Sequence, residues 1–176
     1  MSVKEVADAV TFLFTDIESS TALWDGEPLA MSEALKIHDD VLRAAIAGQR
    51  GSVFSTAGDG VGAVFGSAPE AVGAALDAQR AFAAVAWPTT VPLRVRMGVH
   101  TGAAEERDGD YLGPTVNRAA RVMGLARGGQ ILVSLSSRKA LYDDALEFVD
   151  GGEYRLKGFA EPERIFALSM PGRRSP

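Results

Sequence analysis

The sequence predicts an α+β domain with a mixed β-sheet, and three of its segments carry that prediction. Residues 10–16 form an apolar, β-rich run that ends on a carboxylate, as a buried strand does. Two further β-like runs, Ser52–Ala57 and Val61–Phe65, are separated by Gly58-Asp59-Gly60. Asp-Gly between apolar runs is a strong hairpin signal. The stretch from Pro28 to Gln49 carries apolar residues at helical spacing, so a long helix separates the first strand from the hairpin.

The rest of the chain continues this alternation of helices and strands. The expected elements are a helix from Ser67 to about Val85, a strand Leu93–His100, a polar loop Ala103–Asp110, a helix from Pro114 to about Ala126, a strand Gln130–Ser134, a short helix Ser136–Tyr142, and closing strands Glu153–Lys157 and Arg164–Ser169. The order βαββαβ predicts a ferredoxin-like core with a mixed, mainly antiparallel sheet, followed by a C-terminal helix and strands. We expect the helices on one side of the sheet. Residues 1–170 form one domain in this interpretation, and 171–176 a polar tail or linker.

Composition excludes several classes of protein. The formal net charge of −5 argues against a general nucleic-acid binder, whose surface is basic. The chain has no cysteine, so it forms neither disulfides nor thiolate metal sites. The sequence shows no signal peptide and no apolar run long enough for a bilayer. We therefore expect a cytoplasmic protein that binds neither membrane nor nucleic acid.

Two aspartates are the first candidates for chemistry. Asp16 ends the first strand, and Asp59 lies at the tip of the glycine-flanked hairpin. Carboxylates at the ends of two elements can share a magnesium ion, which prefers oxygen ligands and takes only a few from protein. A structural alternative remains open, in which Asp16 caps a helix and Asp59 only makes a turn. The glycines around Asp59 do not form a dinucleotide-binding fingerprint, because no helix opens at the required spacing.

A second pair of candidates lies on the predicted helix that begins at Pro114. Asn117 and Arg121 are four residues apart and so share one face of that helix. An amide and a guanidinium together suit a ribose oxygen and a phosphate that gains charge in the transition state. A solvated helix face explains the same residues, and nearby Arg118 favours that alternative. His38 and His100 do not form a metal pair, and we expect packing roles for both.

Several stretches of the chain resemble one known family. The stretches are FTDIESST (14–21), STAGDG (55–60), GVHTG (98–102), DYLGPTVNRAAR (110–121) and LKGFAEPERIFAL (156–168). In order and spacing they are similar to the class III adenylyl/guanylyl (nucleotidyl) cyclase catalytic domain of bacterial type. The resemblance covers roughly residues 8–169, nearly the whole chain.

The resemblance implies a metal site and a phosphate site. It assigns Asp16, Ile17 and Asp59 to two divalent cations, Mg²⁺ or Mn²⁺. One cation activates the ribose 3′-hydroxyl and the other holds the triphosphate. Backbone amides at residues 17–21, with Ser19, Ser20 and Thr21 as the substrate-binding residues, are expected to cradle phosphate oxygens.

The resemblance also implies a dimer. Asn117 matches the family's ribose-orienting asparagine, and Arg121 matches the arginine that stabilises the pentavalent phosphate. In the family these two residues come from the opposite subunit to the metal aspartates. One chain that carries both sets is therefore expected to form a homodimer with shared active sites, and the monomer to be inactive.

Two positions depart from the family pattern. Adenylyl cyclases usually have a lysine four residues before the hairpin aspartate and an aspartate seven residues before the asparagine. Asp110 keeps the second of these base-reading positions, but Ser55 stands at the first. Phe159 stands where some members have a phosphate-binding lysine, and Lys157 and Arg155 are the candidate substitutes.

The resemblance thus predicts an adenylate cyclase that converts ATP to 3′,5′-cyclic AMP and pyrophosphate. Asp110 favours ATP as the substrate. The alternative is a degenerate cyclase domain that binds nucleotide or dimerises as a regulatory module with little activity, and Ser55 and Phe159 motivate it. Regulatory domains fused in a longer protein fit either alternative.

Overall fold

The structure is a computed structural model and describes residues 8–170. Within that range the strands are β1 (Ala9–Ile17), β2 (Ser52–Ala57), β3 (Gly60–Phe65), β4 (Val95–Ala103), β5 (Glu105–Arg107), β6 (Asp110–Leu112), β7 (Ile131–Ser134), β8 (Phe148–Tyr154) and β9 (Glu163–Leu168). The helices are α1 (Ser20–Gly26), α2 (Pro28–Gly48), α3 (Ala68–Ala84), α4 (Pro114–Gly124) and α5 (Leu135–Lys139). No helix in this part of the chain is long and apolar enough to cross a membrane. The polar tail predicted at 171–176 lies outside the described residues.

Seven strands form one sheet in the order β2-β3-β1-β4-β7-β9-β8, and β5 and β6 form a separate hairpin. Among the described strands only β4 and β7 pair in parallel, and the other pairs are antiparallel. Strand β1 lies at the centre, between β3 and β4. The predicted α+β class with a mixed, mainly antiparallel sheet is therefore confirmed.

Helices cover both faces of the sheet, so the expectation of helices on one side was wrong. Leu13, Met97 and Ile131 point to the face covered by α2 and α3 and belong to the larger core. Val122 of α4 packs with Leu132, which alternates with Ile131, in a second core on the opposite face. The apolar run of β1 is consistent with this arrangement, because a strand that is covered on both faces has no polar side.

Two glycines of β4 allow α4 to lie directly on the sheet. A Cβ built on Gly98 would lie 2.3 Å from the backbone nitrogen of Met123, and one on Gly102 would lie 3.0 Å from the side chain of Thr115. Both glycines therefore face α4, at its two ends. Their lack of side chains sets the height at which α4 holds its outward residues above the sheet.

Helix α1 was not predicted, and the helix expected at Ser136–Tyr142 is α5, which ends at Lys139. Two further predicted elements differ more widely from the structure. The expected loop Ala103–Asp110 contains the β5–β6 hairpin, which turns at Asp108 (φ 55°) and Gly109 (φ 81°). Its strands are three residues long and mostly charged, so the sequence lacks the apolar alternation that would have predicted them. The strand expected at Glu153–Lys157 lies at Phe148–Tyr154 instead. Gly151 and Gly152 fall inside it at a bulge against β9, although the sequence pattern suggested a strand beginning after them.

Candidate active site

Asp16 and Asp59 meet at one end of the central strands. Strand β1 pairs with β3 up to Thr15 and Val61, so the β2–β3 turn that carries Asp59 lies beside the last residues of β1. Oδ2 of Asp59 accepts a hydrogen bond of 2.8 Å from the backbone amide of Ile17. Gly58 lies in the left-handed region (φ 60°), which lets the chain turn tightly before Asp59. The Asp59 carboxylate is thereby fixed to the residue that follows Asp16.

Asp16 is held in a bidentate ion pair with Arg96. The two residues are cross-strand neighbours on β1 and β4. Nε of Arg96 donates to Oδ1 of Asp16 at 2.6 Å, and Nη2 donates to Oδ2. Nη1 also reaches the carbonyl oxygen of Gly124 at the end of α4, at 3.4 Å. The hydrogen bond to Asp16 raises the pKa of Arg96 above its ordinary value. Arg96 therefore stays charged and links the first carboxylate to α4.

The oxygen atoms of Asp16, Ile17 and Asp59 are suitable ligands for a hard divalent cation. The side chain of Ile17 is apolar and its amide is donated to Asp59, so only its peptide oxygen can ligate. Between residues 8 and 170 no group of three or more His, Cys, Asp or Glu side chains converges. Two carboxylates and a peptide oxygen match magnesium, which takes one or two carboxylates and completes its shell with water and substrate phosphates.

The segment after β1 is the candidate phosphate loop. The amide of Ile17 is bonded to Asp59, and that of Glu18 donates to the carbonyl of Arg94 at 2.8 Å. The predicted cradle of amides at 17–21 is thus reduced to Ser19, Ser20 and Thr21. Ser19 has a left-handed backbone (φ 56°) and precedes α1. The amides of Ser20 and Thr21 begin that helix, where amides have no intrahelical acceptor.

Asn117 and Arg121 lie on the outward face of α4, and both are exposed. Gly113 begins the helix with φ 110°, a conformation that favours glycine, and Pro114 follows at the first helical turn. Within residues 8–170 neither side chain forms a hydrogen bond with another side chain. Within the described residues this pair therefore forms no side-chain hydrogen bond with Asp16 or Asp59, and both side chains are accessible to solvent.

An aromatic cluster brings the two predicted base-reading residues to the same region. The ring of Phe54, next to Ser55, lies 5.2 Å from the ring of Tyr111, next to Asp110, between their centroids. Phe12 of β1 packs edge-on against both rings, at 5.5 and 5.4 Å. Ser55 is half-buried on β2 and Asp110 is exposed on β6. One chain therefore supplies both residues, from the edge strand β2 and from the separate hairpin strand β6.

Lys157 and Phe159 follow β8 and have different surroundings. Lys157 is exposed in a turn whose next residue, Gly158, has φ 89°. The ring of Phe159 is covered by the guanidinium of Arg118, whose central carbon lies 4.3 Å from the ring centroid. Arg118 also donates to Glu163 at 2.6 Å. Phe159 is thus part of the packing between α4 and the C-terminal strands.

The two histidines lie inside the fold, away from the carboxylate pair. His100 is 7% exposed beneath α4, and its Nδ1 lies 2.6 Å from the hydroxyl oxygen of Ser134. Burial lowers the pKa of His100 to about 4, while the charges of Glu163 and Arg118 act in opposite directions. His38 is fully buried in α2 and stacks on Phe82 with ring centroids 5.5 Å apart. These surroundings support the packing roles expected for both.

The contacts of three charged residues near the site, Arg96, Arg118 and Glu163, were not predicted from the sequence, which indicated only a solvated face for Arg118. Arg96 carries a weak signal, as a charge inside a strand whose neighbours are apolar, but its pairing with Asp16 depends on the register of β1 and β4. The contact between Arg118 and Glu163 joins residues 45 positions apart. No local pattern indicates such a contact.

The fold, the paired carboxylates and the exposed Asn-Arg pair of α4 together define a nucleotidyl cyclase domain. The chain belongs to the adenylate and guanylate cyclase catalytic domain family, whose model it matches over residues 2–170.

Individual relatives agree with this assignment. The chain is 38% identical to an uncharacterized protein of Mycobacterium tuberculosis, over 92% of this chain and 56% of that protein. It is 31% identical to a receptor-type adenylate cyclase of Trypanosoma equiperdum, over 98% of this chain and 47% of that protein. The chain thus spans about half the length of these curated relatives. Adenylate cyclases of Trypanosoma brucei, solved in their monomeric state, superpose with a TM-score of 0.90 at 30% identity, over 99% of this chain and 95% of theirs.

Proposed function

We propose that this chain is an adenylate cyclase that converts ATP to 3′,5′-cyclic AMP and pyrophosphate at a site shared by two copies of the chain. The observation that carries the proposal is the hydrogen bond from the Ile17 amide to Asp59. It fixes the Asp59 carboxylate to the residue that follows Asp16, and these two carboxylates are the ones that the family resemblance assigns to the metal site.

In this proposal Asp16, Asp59 and the peptide oxygen of Ile17 hold two divalent cations, Mg²⁺ or Mn²⁺. When bound, the cations lower the pKa of the ribose 3′-hydroxyl and neutralise the triphosphate. Each Asp16 oxygen that accepts from Arg96 keeps a second lone pair, so Asp16 can bind a cation while the ion pair is intact. Arg96 then adds positive charge beside the carboxylate that holds the cation.

The proposed reaction is an in-line displacement at the α-phosphorus. The 3′-oxygen bonds to phosphorus, its proton passes to solvent, and the bond to the bridging oxygen breaks as pyrophosphate leaves. The protein contributes mainly positioning and charge stabilisation. Asn117 orients the ribose, Arg121 stabilises the charge that develops on the phosphate, and Ser19, Ser20, Thr21 and Lys157 bind the phosphates.

The exposure of α4 supports the shared site. Asn117 and Arg121 are turned outward, away from the sheet. Leu112 and Leu125, just before and just after the helix, are large apolar residues that are 43% and 37% exposed. Large apolar residues that are exposed beside a polar pair are typical of a surface that a second copy of the chain buries in a symmetric dimer.

The choice of base rests on Asp110 and Ser55. Asp110 can accept a hydrogen bond from the exocyclic amine of adenine, which favours ATP. Ser55 is short and uncharged, so the second contact to the base is weak. Loss of a charged hydrogen bond costs about 1.5–3 kcal/mol, so we expect weak discrimination between ATP and GTP.

Product analysis tests the proposal directly. The purified dimer is incubated with ATP and with GTP in parallel, each with Mg²⁺ and with Mn²⁺, and the products are separated by chromatography. We expect 3′,5′-cyclic AMP and pyrophosphate in equal amounts, and no product after chelation of the metal. Nucleotide binding by calorimetry with no product after long incubation would instead support a degenerate, regulatory domain, which Ser55 and Phe159 favour.

A further inference from the structure

We propose that Arg118 is a positioning residue, which locks α4 against the C-terminal strands so that Asn117 and Arg121 are presented correctly to the shared site. The inference rests on the cyclase function proposed above and adds a residue that acts through its neighbours on α4. It also gives Phe159 a role in this chain other than phosphate binding.

The guanidinium of Arg118 makes two contacts. Its central carbon lies over the ring of Phe159, 4.3 Å from the centroid, and its Nη1 donates to Oε2 of Glu163 at 2.6 Å. The Arg118 and Glu163 side chains are only 24% and 11% exposed. A planar cation that lies over a ring and is paired at once has little freedom to rotate. A lysine places a strongly hydrated point charge on a flexible stem, so it holds the same position less rigidly.

Glu163 connects this contact to the rest of the domain. It is the first residue of β9, and its other oxygen, Oε1, accepts from the amide of Leu135 at 3.3 Å. Leu135 begins α5 directly after β7. One carboxylate therefore joins α4 to β9 and to the β7–α5 junction, all on the side of the sheet where His100 is buried.

Phe159 connects the Arg118 contact to the smaller core. Its ring packs against the smaller core, which includes Val122 of α4 and Leu156. The ring thus supports Arg118 and is fixed by the same core on which α4 rests. Because the guanidinium of Arg118 covers the ring, Phe159 packs against α4 in this chain and does not take the phosphate-binding role of the family's lysine.

The position of Arg118 on α4 explains why its contacts with Phe159 and Glu163 matter for catalysis. Arg118 follows Asn117 directly and precedes Arg121 by less than one turn, so a roll of α4 about its axis displaces both outward side chains. A misplacement of about 1 Å in groups that position a reacting centre can lower a rate on the order of 100-fold. Loosening Arg118 is therefore expected to lower kcat while leaving the KM for ATP nearly unchanged.

The shared site allows a test that separates positioning from general destabilisation. Dimers of defined composition are purified through two different affinity tags, with Asp59→Ala in one chain only. One active site then remains, built from the aspartates of the unsubstituted chain and from α4 of the Asp59→Ala chain. Arg118→Lys is introduced into either chain in turn. Phe159→Leu is tested in the same two places.

On the Asp59→Ala chain, whose α4 serves the remaining site, we expect Arg118→Lys to lower kcat at least tenfold with little change in KM. On the other chain we expect no change. Arg138→Lys is the matched control, because Arg138 stacks on Phe148 at 4.5 Å but lies outside α4. We expect it to have no effect on either chain.

Equal loss of activity from both chains, or no loss from either, would overturn the positioning role while the reference dimer remains active. A reference dimer that forms no cyclic nucleotide would overturn the proposed function, and this inference with it. The two failures are therefore distinguishable in one experiment.

Discussion

Asp59 has a structural task as well as the chemical one proposed for it. Its carboxylate anchors the β2–β3 turn to the amide of Ile17, and the same group is proposed as a cation ligand. The two tasks need different properties. Any side chain with a suitably placed acceptor oxygen can accept the hydrogen bond, whereas a divalent cation requires the negative charge.

Asp59→Asn separates the two tasks. We expect the variant to fold as the wild type does, because the amide oxygen can still accept from Ile17, and to lose activity on the order of 100-fold, because a neutral amide binds a divalent cation much more weakly than a carboxylate does. Asp108→Asn is the matched control, since Asp108 also precedes a glycine in a hairpin turn. Cyclase assays and thermal unfolding of both variants measure the difference. Retained activity in Asp59→Asn would remove Asp59 from the metal site.

His100 makes the stability of the fold dependent on pH. Burial lowers the pKa of His100 in the folded chain from its ordinary value of 6.5 to about 4. Between these values the unfolded chain binds more protons, so the free energy of unfolding falls as the pH is lowered from 6.5 to 4. A shift of this size corresponds to about 3 kcal/mol. Urea unfolding at a series of pH values should show this fall in the wild type and a smaller one in His100→Gln. Identical pH dependence of the two proteins would contradict it.

Ser55 determines how well the base is read. We expect Ser55→Lys to raise the ratio of kcat/KM for ATP over GTP about tenfold or more, because a charged hydrogen bond contributes about 1.5–3 kcal/mol. Thr56→Lys adds the same charge at the exposed neighbouring position of β2 and is expected to leave the ratio unchanged. An unchanged ratio in Ser55→Lys would mean that residue 55 does not face the base.

Helix α4 is the element on which the site depends most. It carries Asn117 and Arg121 outward, packs on Gly98 and Gly102 below, and is tied at its end to Asp16 through Arg96. The glycines of GVHTG therefore have a packing reason. They allow a helix to lie where any side chain on the strand would push it away.

Gly98→Ala tests this packing. Its Cβ would lie 2.3 Å from the backbone nitrogen of Met123, and a backbone atom cannot move aside as a flexible side chain can. We expect a loss of about 1–3 kcal/mol in the free energy of unfolding, together with reduced activity. Gly124→Ala, which meets nothing within 4 Å on the same helix, should leave stability unchanged or raise it slightly. Urea unfolding of the two variants makes the comparison.

The elements also show what sequence patterns can and cannot predict. Strand β1 and helix α2 were predictable because long apolar runs and helical periodicity are local properties. The β5–β6 strands and the position of β8 were not, because the first are short and charged and the second contains a glycine bulge. Within the site, the family resemblance predicted Asp16 and Asp59 as metal ligands. The ion pair between Arg96 and Asp16 follows only from the register of β1 and β4.

In the whole molecule, the two halves of the proposed site are exposed in different ways. The carboxylates lie at the end of β1, restrained by Ile17 and Arg96, whereas Asn117 and Arg121 form no side-chain hydrogen bonds within residues 8–170. A head-to-tail dimer brings the α4 face of one copy to the carboxylates of the other and forms two equivalent sites. The single chain is then expected to be a folded but inactive unit.

Mixing two inactive variants tests this central claim most directly. Asp59→Ala lacks a metal ligand, and Arg121→Ala lacks the group that stabilises the phosphate. After subunit exchange at equal concentrations, half of the dimers are mixed and each mixed dimer has one intact site, so we expect about a quarter of wild-type activity. Cyclic AMP formation by the mixture, compared with each variant alone, is the measurement. No recovery despite demonstrated exchange of subunits would contradict the shared site.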